Sequence, residues 1–464
     1  MANYVVIGLG GSGLSAAKFL VAKGHTVTVT DENIKPKLAD KLPKEVLTSF
    51  GAIDGEKLIK ADVIVISPGI NPQIAEVANA KGAGVPVVSD VWLFVQALQQ
   101  RDVQAGKKTP IVAITGSNAK STVTTLVGEM AKQAGKTVGV GGNIGTPALD
   151  LLEIANLDMV VLELSSFQLE HIEKLGASVA TILNLSADHL DRHGDMAGYL
   201  AQKLRIFDQA ASAVICLDDE NLANSCQETF ANIGQSVDAI TTSGQIGNPR
   251  QADFYLSEEN QQIYLNYQGQ QLLSANELLI RGKHNLLNVL SALALGQSVN
   301  LPMESMLSVL RTFRGLPHRC EFVATNSLGK DYYNDSKGTN IGSTIAAIEG
   351  LGMVYGEKSL ALILGGQAKG QDFSELGAFV AKFASVVYLI GQDANLIEQG
   401  LLSISHDINI VQAQTLDNAI AKASQSDAKA VLLSPACASF DQFDGYHHRG
   451  EVFVRLVQGL SNDE

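Results

Sequence analysis

Several features that would place a protein in a special class are scarce or missing in this sequence. Its 464 residues include four cysteines, none in a CxxC pair or at a metal-ligand spacing: Cys216, Cys226, Cys320 and Cys437. We therefore expect reduced thiols in a cytoplasmic protein and no structural zinc site. No apolar run approaches the ~20 residues that a membrane span needs, and the first residues carry no basic leader, so neither membrane insertion nor a signal peptide is expected.

The sequence also has fewer basic residues than acidic ones. The chain has 34 Lys and Arg against 48 Asp and Glu, which gives a formal net charge of −14. Non-specific nucleic-acid binding needs a net basic face, so this balance argues against a nucleic-acid partner but permits a local basic pocket for phosphates. The length indicates about three domains of ~150 residues, each large enough for its own core.

The most informative motif is TGSNAKST at residues 115–122, which follows an apolar run and opens a segment typical of a helix. A strand, a glycine-containing loop and a helix in this order hold nucleotide phosphates through backbone N–H groups, a lysine and a hydroxyl on magnesium. The strict pattern GxxxxGK[ST] is not met, because Ile114 and Ala119 stand at its two glycine positions. A chance glycine-rich turn is the alternative interpretation.

A second glycine-rich loop, GLGGSG at residues 8–13, lies between a predicted strand at 4–7 and a predicted helix ending near Lys23. A further strand at 26–30 ends at Asp31. This is the opening of a Rossmann-like unit, and by itself the GxGxxG pattern followed by an acidic residue suggests NAD.

Apolar runs alternate with helical patterns along the rest of the chain, which predicts an α/β protein with mostly parallel sheets. We expect three domains: a Rossmann-like domain at 1–104, a central P-loop ATPase-like domain at 105–313, and a Rossmann-like C-terminal domain at 314–464. The polar residues 100–109 are typical of a linker, and residues 253–267 of a small antiparallel insertion.

Two polar residues, Glu163 and His189, are candidates for metal binding, because they lie where strand ends would converge beside the predicted phosphate loop. Glu163 ends an apolar strand, where an unpaired carboxylate would be costly, so a metal or a lysine should neutralise it. A salt-bridged structural role is its alternative. His189, flanked by Asp188, is a magnesium candidate or a core histidine, and Lys203 on its own is typical of a solvated helix lysine.

The motifs in their order resemble the Mur ligases, ATP-dependent enzymes that form amide bonds in bacterial cell-wall precursors. The likeness spans essentially the whole chain, favours the D-glutamate-adding branch, and replaces the NAD interpretation of residues 8–13 by one in which that loop holds a UDP group. It is carried by GLGGSG, SPGI, AITGSNAKSTVTTL, GGNIG, LELSSFQLE, NLSADHLDRHG, KLRIF, GLPHR, NDSKGTN, ILGG and LLSPACASFDQF.

The resemblance implies ATP, two magnesium ions and the substrates UDP-N-acetylmuramoyl-L-alanine and D-glutamate, bound by a protein that we expect to be a monomer. Lys120, His189 and Lys203 would be catalytic, with Lys203 carrying a carbamate. Magnesium would be held by Ser121, Glu163, His189 and carbamylated Lys203. ATP would be bound by Gly116, Ser117, Asn118, Ala119, Lys120, Ser121, Thr122, Asn288, Arg319 and Asp335. The UDP substrate would contact Ser12, Asp31, Ser67, Asn143, Ser165 and His189, and D-glutamate would contact Lys337, Thr339, Lys369, Ser439 and Tyr446.

The sequence departs from the family pattern at two places. Ala119 replaces the usual glycine of the phosphate loop, which is tolerable at a negative φ and should weaken ATP binding at a positive one. Residues 367–370 vary around Lys369. Other functions remain open: a sister ligase that adds another amino acid, a folylpolyglutamate synthase-like enzyme, a non-catalytic nucleotide-binding module, and an NAD oxidoreductase.

Overall fold

The computed structural model of the chain has three β-sheets flanked by helices, which confirms the predicted α/β class. It describes residues 1–186, 188–233, 238–368 and 370–460; for residues 190, 191, 230–233 and 238 it describes the backbone alone. Within these ranges no helix combines the length and the apolar character that crossing a bilayer requires.

The first sheet is parallel and has the strand order β3-β2-β1-β4-β5, the expected Rossmann-like arrangement. Its strands are β1 Asn3–Ile7, β2 Thr26–Asp31, β3 Leu47–Phe50, β4 Val63–Ile66 and β5 Val87–Val88. Its helices are α1 Gly11–Ala22, α2 Gly55–Ile59, α3 Ala75–Gly82 and α4 Asp90–Ala105, with a 3₁₀ turn at Ala39–Lys41.

The central sheet has the order β14-β13-β12-β11-β10-β9-β6-β8-β7, and its pairs from β7 to β12 are parallel. Its strands are β6 Ile111–Thr115, β7 Val138–Gly142, β8 Met159–Glu163, β9 Val179–Ile182, β10 Ser212–Cys216, β11 Asp238–Ile246, β12 Phe254–Glu259, β13 Gln262–Tyr267 and β14 Gln270–Ser274. β12 and β13 form the predicted antiparallel insertion. Strands β6, β8 and β9 are buried along their whole length, as expected for parallel strands covered on both faces.

Helices that follow these strands in the chain are α5 Lys120–Gln133, α6 Ser166–Leu169, α7 Leu190–His193, α8 Met196–Leu204, α9 Glu220–Ile233, α10 Lys283–Ser298 and α11 Met303–Thr312. Short 3₁₀ turns occur at Ala148–Glu153, Arg205–Phe207 and Ala275–Glu277.

The third sheet has the order β15-β16-β20-β17-β18-β19 and is parallel except for its β15/β16 edge. Its strands are β15 Glu321–Thr325, β16 Asp331–Asn334, β17 Leu360–Gly365, β18 Ala384–Ile390, β19 Ile410–Gln414 and β20 Ala430–Leu433. Its helices are α12 Ile341–Tyr355, α13 Gly377–Phe383, α14 Ala394–Leu402, α15 Leu416–Ser424 and α16 Tyr446–Leu460, with a 3₁₀ turn at Phe373–Leu376.

The chain forms two compact units. One consists of Met1–Leu273 with Asn288–Val309 and carries the first two sheets up to Leu273; the other consists of Ser274–Leu287 with Leu310–Glu464 and carries the third sheet. The domain boundaries at 104/105 and 313/314 stay a prediction.

The predicted linker is wrong over its first residues. Residues 100–105 lie inside α4, which extends to Ala105. The Asp102 carboxylate is buried and accepts hydrogen bonds from Thr109 N at 2.5 Å and Thr109 Oγ1 at 2.8 Å. Leu98 packs in the core on the same helix, so an amphipathic helix end, and not a solvated linker, explains the polar residues.

Candidate functional site

The sheet register brings the predicted phosphate loop and its neighbours to one edge of the central sheet. Ile114 at the end of β6 pairs with Glu163 of β8 and with Thr181 of β9, and Gly142 at the end of β7 also pairs with Glu163. Because the carboxyl ends of parallel strands meet at one edge, the loops that follow these strands are neighbours.

The phosphate loop joins β6 to α5, which begins at Lys120. Lys120 Nζ donates to the carbonyls of Gly116 at 2.8 Å and Ser117 at 2.9 Å. Ser121 is nearly buried in the first turn, where a helix N-terminus favours phosphate. Ala119 caps the helix at φ +64°, a left-handed conformation that costs a non-glycine residue about 1 kcal/mol or more. Alanine was expected to be tolerated here only at a negative φ, so the positive φ predicts weaker ATP binding.

Residues 184–186, which follow β9, hold the phosphate loop in shape. Ser117 N donates to Asn184 O at 3.1 Å, Asn118 N donates to Asn184 Oδ1 at 2.8 Å, and Ser117 Oγ donates to Ser186 O at 3.0 Å. Tyr199 Oη lies 3.2 Å from Ser117 Oγ. Tyr199 was not among the predicted site residues; the only signal in the sequence was its position one helical turn before Lys203 on α8.

Glu163 is buried, with 3% of its surface exposed. Oε1 accepts a hydrogen bond from Asn143 Nδ2 at 2.9 Å, and Asn143 N donates to the Glu163 carbonyl at 2.8 Å. Oε2 is buried without a hydrogen-bond partner. No ion pair to Glu163 occurs among the residues that the structure describes, so the structural salt-bridge alternative finds no partner there. A buried carboxylate oxygen without a partner is costly and fits a cation ligand.

Lys203 is not the solvated lysine that its helical context suggested, because only 1% of its surface is exposed. Its Nζ donates to Gly116 O at 3.0 Å and lies 4.6 Å from the centre of the Tyr199 ring. Burial, and then the nearby charge of Lys120, lower the pKa of Lys203 to about 7, while Asp188 acts in the opposite direction. The two lysines share one carbonyl, so a neutral or anionic form of Lys203 would relieve their repulsion.

His189 is not a core histidine, since nearly half of its side chain is exposed. Its Nε2 lies 3.4 Å from Asp188 Oδ2, and its ring packs against Phe167 with centroids 4.7 Å apart. Its backbone φ of +53° is uncommon outside glycine.

No group of three or more His, Cys, Asp and Glu side chains suited to a metal ion occurs in the described part of the chain. Magnesium does not need such a group, because it usually keeps several waters and binds one or two carboxylates together with substrate phosphates.

Asp31 and Ser67, two residues expected to bind the UDP substrate, form hydrogen bonds to the loops of the first sheet. Asp31 accepts hydrogen bonds from Leu9 N at 2.7 Å and Asn33 N at 2.8 Å; burial alone would raise the pKa of Asp31, but these bonds outweigh it and lower the pKa. Ser67 Oγ donates to Gly8 O at 2.8 Å. A Cβ at Gly13 would lie 2.0 Å from Gly8 O, so the helix and the loop can approach only at glycine.

Asp90, which the sequence analysis did not single out, begins α4 behind this loop. It is buried, and neither carboxyl oxygen has a hydrogen-bond partner. Burial raises the pKa of Asp90 to about 6, against the opposing influence of the Ser12 side chain, the backbone of Val91 and Asp90, and the Gln168 side chain. Gln168 in turn forms a capping box with Ser165, the first residue before α6.

Asp335 and Arg319 lie together in the second unit. The Asp335 carboxylate is buried and accepts hydrogen bonds from Ser434 Oγ at 2.6 Å and Cys320 N at 3.1 Å. Burial raises the pKa of Asp335 to about 7, against the influence of these bonds and of the Arg319 charge. Asn288, the other expected ATP residue, is buried on α10 in the first unit.

Of the five expected D-glutamate residues, Lys337 and Tyr446 are in contact. Lys337 Nζ donates to Tyr446 Oη at 3.2 Å. Thr339 follows in the same loop, with its N–H bonded to Lys337 O at 2.8 Å, and Ser439 is buried after β20. Lys369 lies outside the described residues.

Three family models match consecutive parts of the chain. They are the Mur ligase MurD-like N-terminal domain at residues 2–89, the Mur ligase middle domain at 114–296, and the Mur ligase glutamate ligase domain at 318–437. Together they cover the first and third sheets and the central sheet from residue 114 onward.

Curated relatives are similar over nearly the whole length. UDP-N-acetylmuramoylalanine–D-glutamate ligase of Psychrobacter arcticus is 51% identical, with 98% of this chain and 94% of the relative covered. The proteins of the same name from Acinetobacter baylyi and Pseudomonas aeruginosa are 47% and 43% identical, each with 98% of both chains covered.

Solved structures share the fold at low identity. UDP-N-acetylmuramate-alanine ligase of Thermotoga maritima matches with a TM-score of 0.57 at 18% identity, over 99% of this chain and 100% of that one. A UDP-N-acetylmuramoyl-L-alanyl-D-glutamate–2,6-diaminopimelate ligase matches with a TM-score of 0.62 at 18% identity, over 88% and 94%. At this identity the likeness concerns the fold alone.

Proposed function

Since the chain belongs to the Mur ligase family of ATP-dependent ligases, we propose that it joins D-glutamate to UDP-N-acetylmuramoyl-L-alanine. The products are UDP-N-acetylmuramoyl-L-alanyl-D-glutamate, ADP and phosphate, and the step belongs to peptidoglycan precursor synthesis. The full-length likeness to three curated relatives of one name supports this branch over a sister ligase, a folylpolyglutamate synthase-like enzyme or an NAD enzyme.

One observation carries the catalytic part of the proposal. The phosphate loop with Lys120, the partnerless oxygen of Glu163 and the buried amine of Lys203 belong to one edge of one sheet. A cation-binding carboxylate and two amines beside a phosphate loop suit phosphoryl transfer, in which positioning and charge stabilisation supply most of the catalysis. A non-catalytic nucleotide-binding module would have no use for this set.

The reaction makes a carboxylate electrophilic before the amine attacks it. An oxygen of the L-alanine carboxylate attacks the γ-phosphorus of ATP, the bond to the β-phosphate oxygen breaks, and ADP leaves. Lys120 would neutralise charge on the transferred group. The free amine of D-glutamate then attacks the acyl carbon, and the tetrahedral intermediate collapses to the amide with loss of phosphate and a proton. Holding the reactants in line is the main task of the protein.

Magnesium fits the residues of this edge. Glu163 offers a buried oxygen without a partner, Ser121 offers a hydroxyl in the first turn of α5, and His189 would be a third protein ligand. Bound magnesium would neutralise phosphate charge during transfer. Lys203 would join as a carbamate, because only a neutral amine reacts with carbon dioxide and burial lowers the pKa of Lys203 to about 7.

The carbamate has a direct test. In ¹³C-bicarbonate the wild-type protein should give a carbamate carbonyl NMR signal that Lys203→Arg lacks, while Lys136→Arg, an exposed control, keeps it. Identical spectra of all three proteins would rule the carbamate out.

The remaining assignments belong to the same proposal. ATP would contact residues 116–122 with Asn288, Arg319 and Asp335. The UDP substrate would contact Ser12, Asp31, Ser67, Asn143, Ser165 and His189, and D-glutamate would contact Lys337, Thr339, Lys369, Ser439 and Tyr446. The three domains would have the boundaries 1–104, 105–313 and 314–464, and the enzyme would act as a cytoplasmic monomer.

Phosphate release measured with ATP, magnesium and UDP-N-acetylmuramoyl-L-alanine tests the proposal. Release should require D-glutamate and should fail with L-glutamate, L-alanine, L-lysine or diaminopimelate. Release with another of these amino acids would move the enzyme to a sister step. ATP binding without release in any mixture would favour a binding module.

A further inference from the structure

Arg449 is a fully buried cation that the sequence analysis did not notice. It lies in the first turn of α16, and none of its surface is exposed. No carboxylate of the described residues lies within 4.0 Å of its guanidinium. Burial lowers the pKa of Arg449 to about 10, so the side chain stays charged at neutral pH. Asp335 and Asp441 act on this charge only from a longer distance. A buried charge without a carboxylate in contact is expensive and calls for an explanation.

All five N–H donors of the guanidinium are used, and their acceptors lie in three separate segments of the chain. Nε donates to Ser336 Oγ at 3.0 Å, and Nη2 donates to Ser336 O at 2.9 Å and Cys437 O at 3.1 Å. Nη1 donates to Gly365 O at 3.3 Å and Ala438 O at 3.5 Å. The planar fork of arginine can serve so many fixed acceptors, whereas lysine has three donors on one nitrogen.

Ser336 follows β16, Gly365 is the last residue of β17, and Cys437 and Ala438 follow β20. All three segments therefore lie at the carboxyl edge of the third sheet. Ser336 precedes Lys337, and Ala438 precedes Ser439, so both neighbours are proposed D-glutamate residues. The Ser336 hydroxyl, which accepts from Arg449, itself donates to the Tyr446 carbonyl at 2.8 Å. Arg449 thus bonds directly to the residues that precede Lys337 and Ser439, and through the Ser336 hydroxyl it is linked to the backbone of Tyr446.

We propose that Arg449 is the positioning residue of the D-glutamate site. Its guanidinium holds the three segments at fixed distances from α16 and thereby sets the geometry of the site. This rests on the proposed function, since it deepens the assignment of one substrate. Arg449 lies beyond residues 318–437, the part matched by the glutamate ligase domain model.

The test compares Michaelis constants in Arg449→Lys, Ser336→Ala and a matched control, Lys330→Met. Lys330 is also a buried cation that donates to backbone carbonyls, of Ala423 at 2.8 Å, Ser424 at 2.9 Å and Ser426 at 2.6 Å. It precedes β16 and therefore lies at the opposite, amino edge of the sheet.

Arg449→Lys keeps the charge and loses the fork, so the KM for D-glutamate should rise at least about tenfold, as expected when buried acceptors lose their donors. The KM for the UDP substrate should stay within about twofold. Ser336→Ala, a small change that should fold even if Arg449→Lys does not, removes one bond to Arg449 and one to Tyr446 and should raise the KM for D-glutamate about fivefold. Lys330→Met should lower the melting temperature and leave all KM values near those of the wild type.

A normal KM for D-glutamate in Ser336→Ala, or in folded Arg449→Lys, would overturn the proposal. An equal rise in Lys330→Met would overturn it as well, because general loosening of the sheet would then be the cause. A wild-type enzyme that does not use D-glutamate would instead contradict the proposed function, so the two failures are distinct.

Discussion

Replacing Lys203 by methionine should make the protein more stable and inactive. The folded pKa of about 7 lies far below the ordinary lysine value of 10.5, so charging the buried amine costs free energy that the unfolded chain does not incur. At ~1.36 kcal/mol per pKa unit, the cost at pH 7 is about 4 kcal/mol.

Two losses offset part of this gain. Lys203→Met gives up the hydrogen bond to Gly116 O, the longer one to Thr115 Oγ1 at 3.4 Å, and the contact with the Tyr199 ring, together worth about 2 kcal/mol. The Gly116 carbonyl keeps its bond from Lys120, and the Thr115 hydroxyl keeps its own bond to Leu164 O, so neither group is left without a hydrogen bond. A net gain of about 2 kcal/mol should raise the melting temperature of the first unit by about 3 °C.

The assay is thermal unfolding in carbon dioxide-free buffer, with Lys136→Met as the exposed control. Because the folded pKa of Lys203 is lowered, the free-energy cost of charging it is complete below pH 7 and vanishes as the pH rises to about 10.5. The stability gained by Lys203→Met should therefore shrink over that pH range. Turnover should fall by ~10²-fold or more. A variant that is less stable at pH 7, or equally active, would refute the reasoning.

Three further predictions concern single side chains of the first unit. Lys120→Ala should lower turnover by ~10²-fold or more, the loss expected for one transition-state charge contact, and near-normal phosphate release would contradict its role. Ala119→Gly should lower the KM for ATP several-fold by relieving the φ of +64°, whereas Ala134→Gly at the other end of α5, where φ is −78°, should not; equal KM values in both would remove strain as the cause. His171 has its pKa lowered to about 4 by burial, so denaturation curves should show a loss of about 3 kcal/mol as the pH falls from 6.5 to 4, and His171→Gln should remove that loss; an unchanged acid profile in the variant would exclude this source.

Much of the architecture follows from local patterns. The strands predicted at 4–7 and 26–30 each fall only one residue short of β1 and β2, because continuous apolar segments bounded by polar turns are typical of buried parallel strands. The family resemblance rests on motifs that can be read in order along the chain, and the matches to three Mur ligase family models confirmed that the chain belongs to this family.

Burial was the quantity that the sequence could not supply. Residues 100–105 are polar and were predicted as a linker, yet they complete a helix because Asp102 finds Thr109 as a partner. Lys203 has the sequence context of a solvated lysine, and only packing beside the phosphate loop lowers its pKa.

By itself the sequence determined the α/β class, the three sheets, the family and the residues that follow each strand, since these depend on hydrophobic periodicity and motif order. Tertiary structure alone decided the left-handed φ of Ala119, the partnerless oxygen of Glu163 and the five bonds of Arg449. The physical reason is that solvation and hydrogen-bond satisfaction depend on neighbours distant in the chain, such as Ser336 and Arg449, which no local pattern brings together.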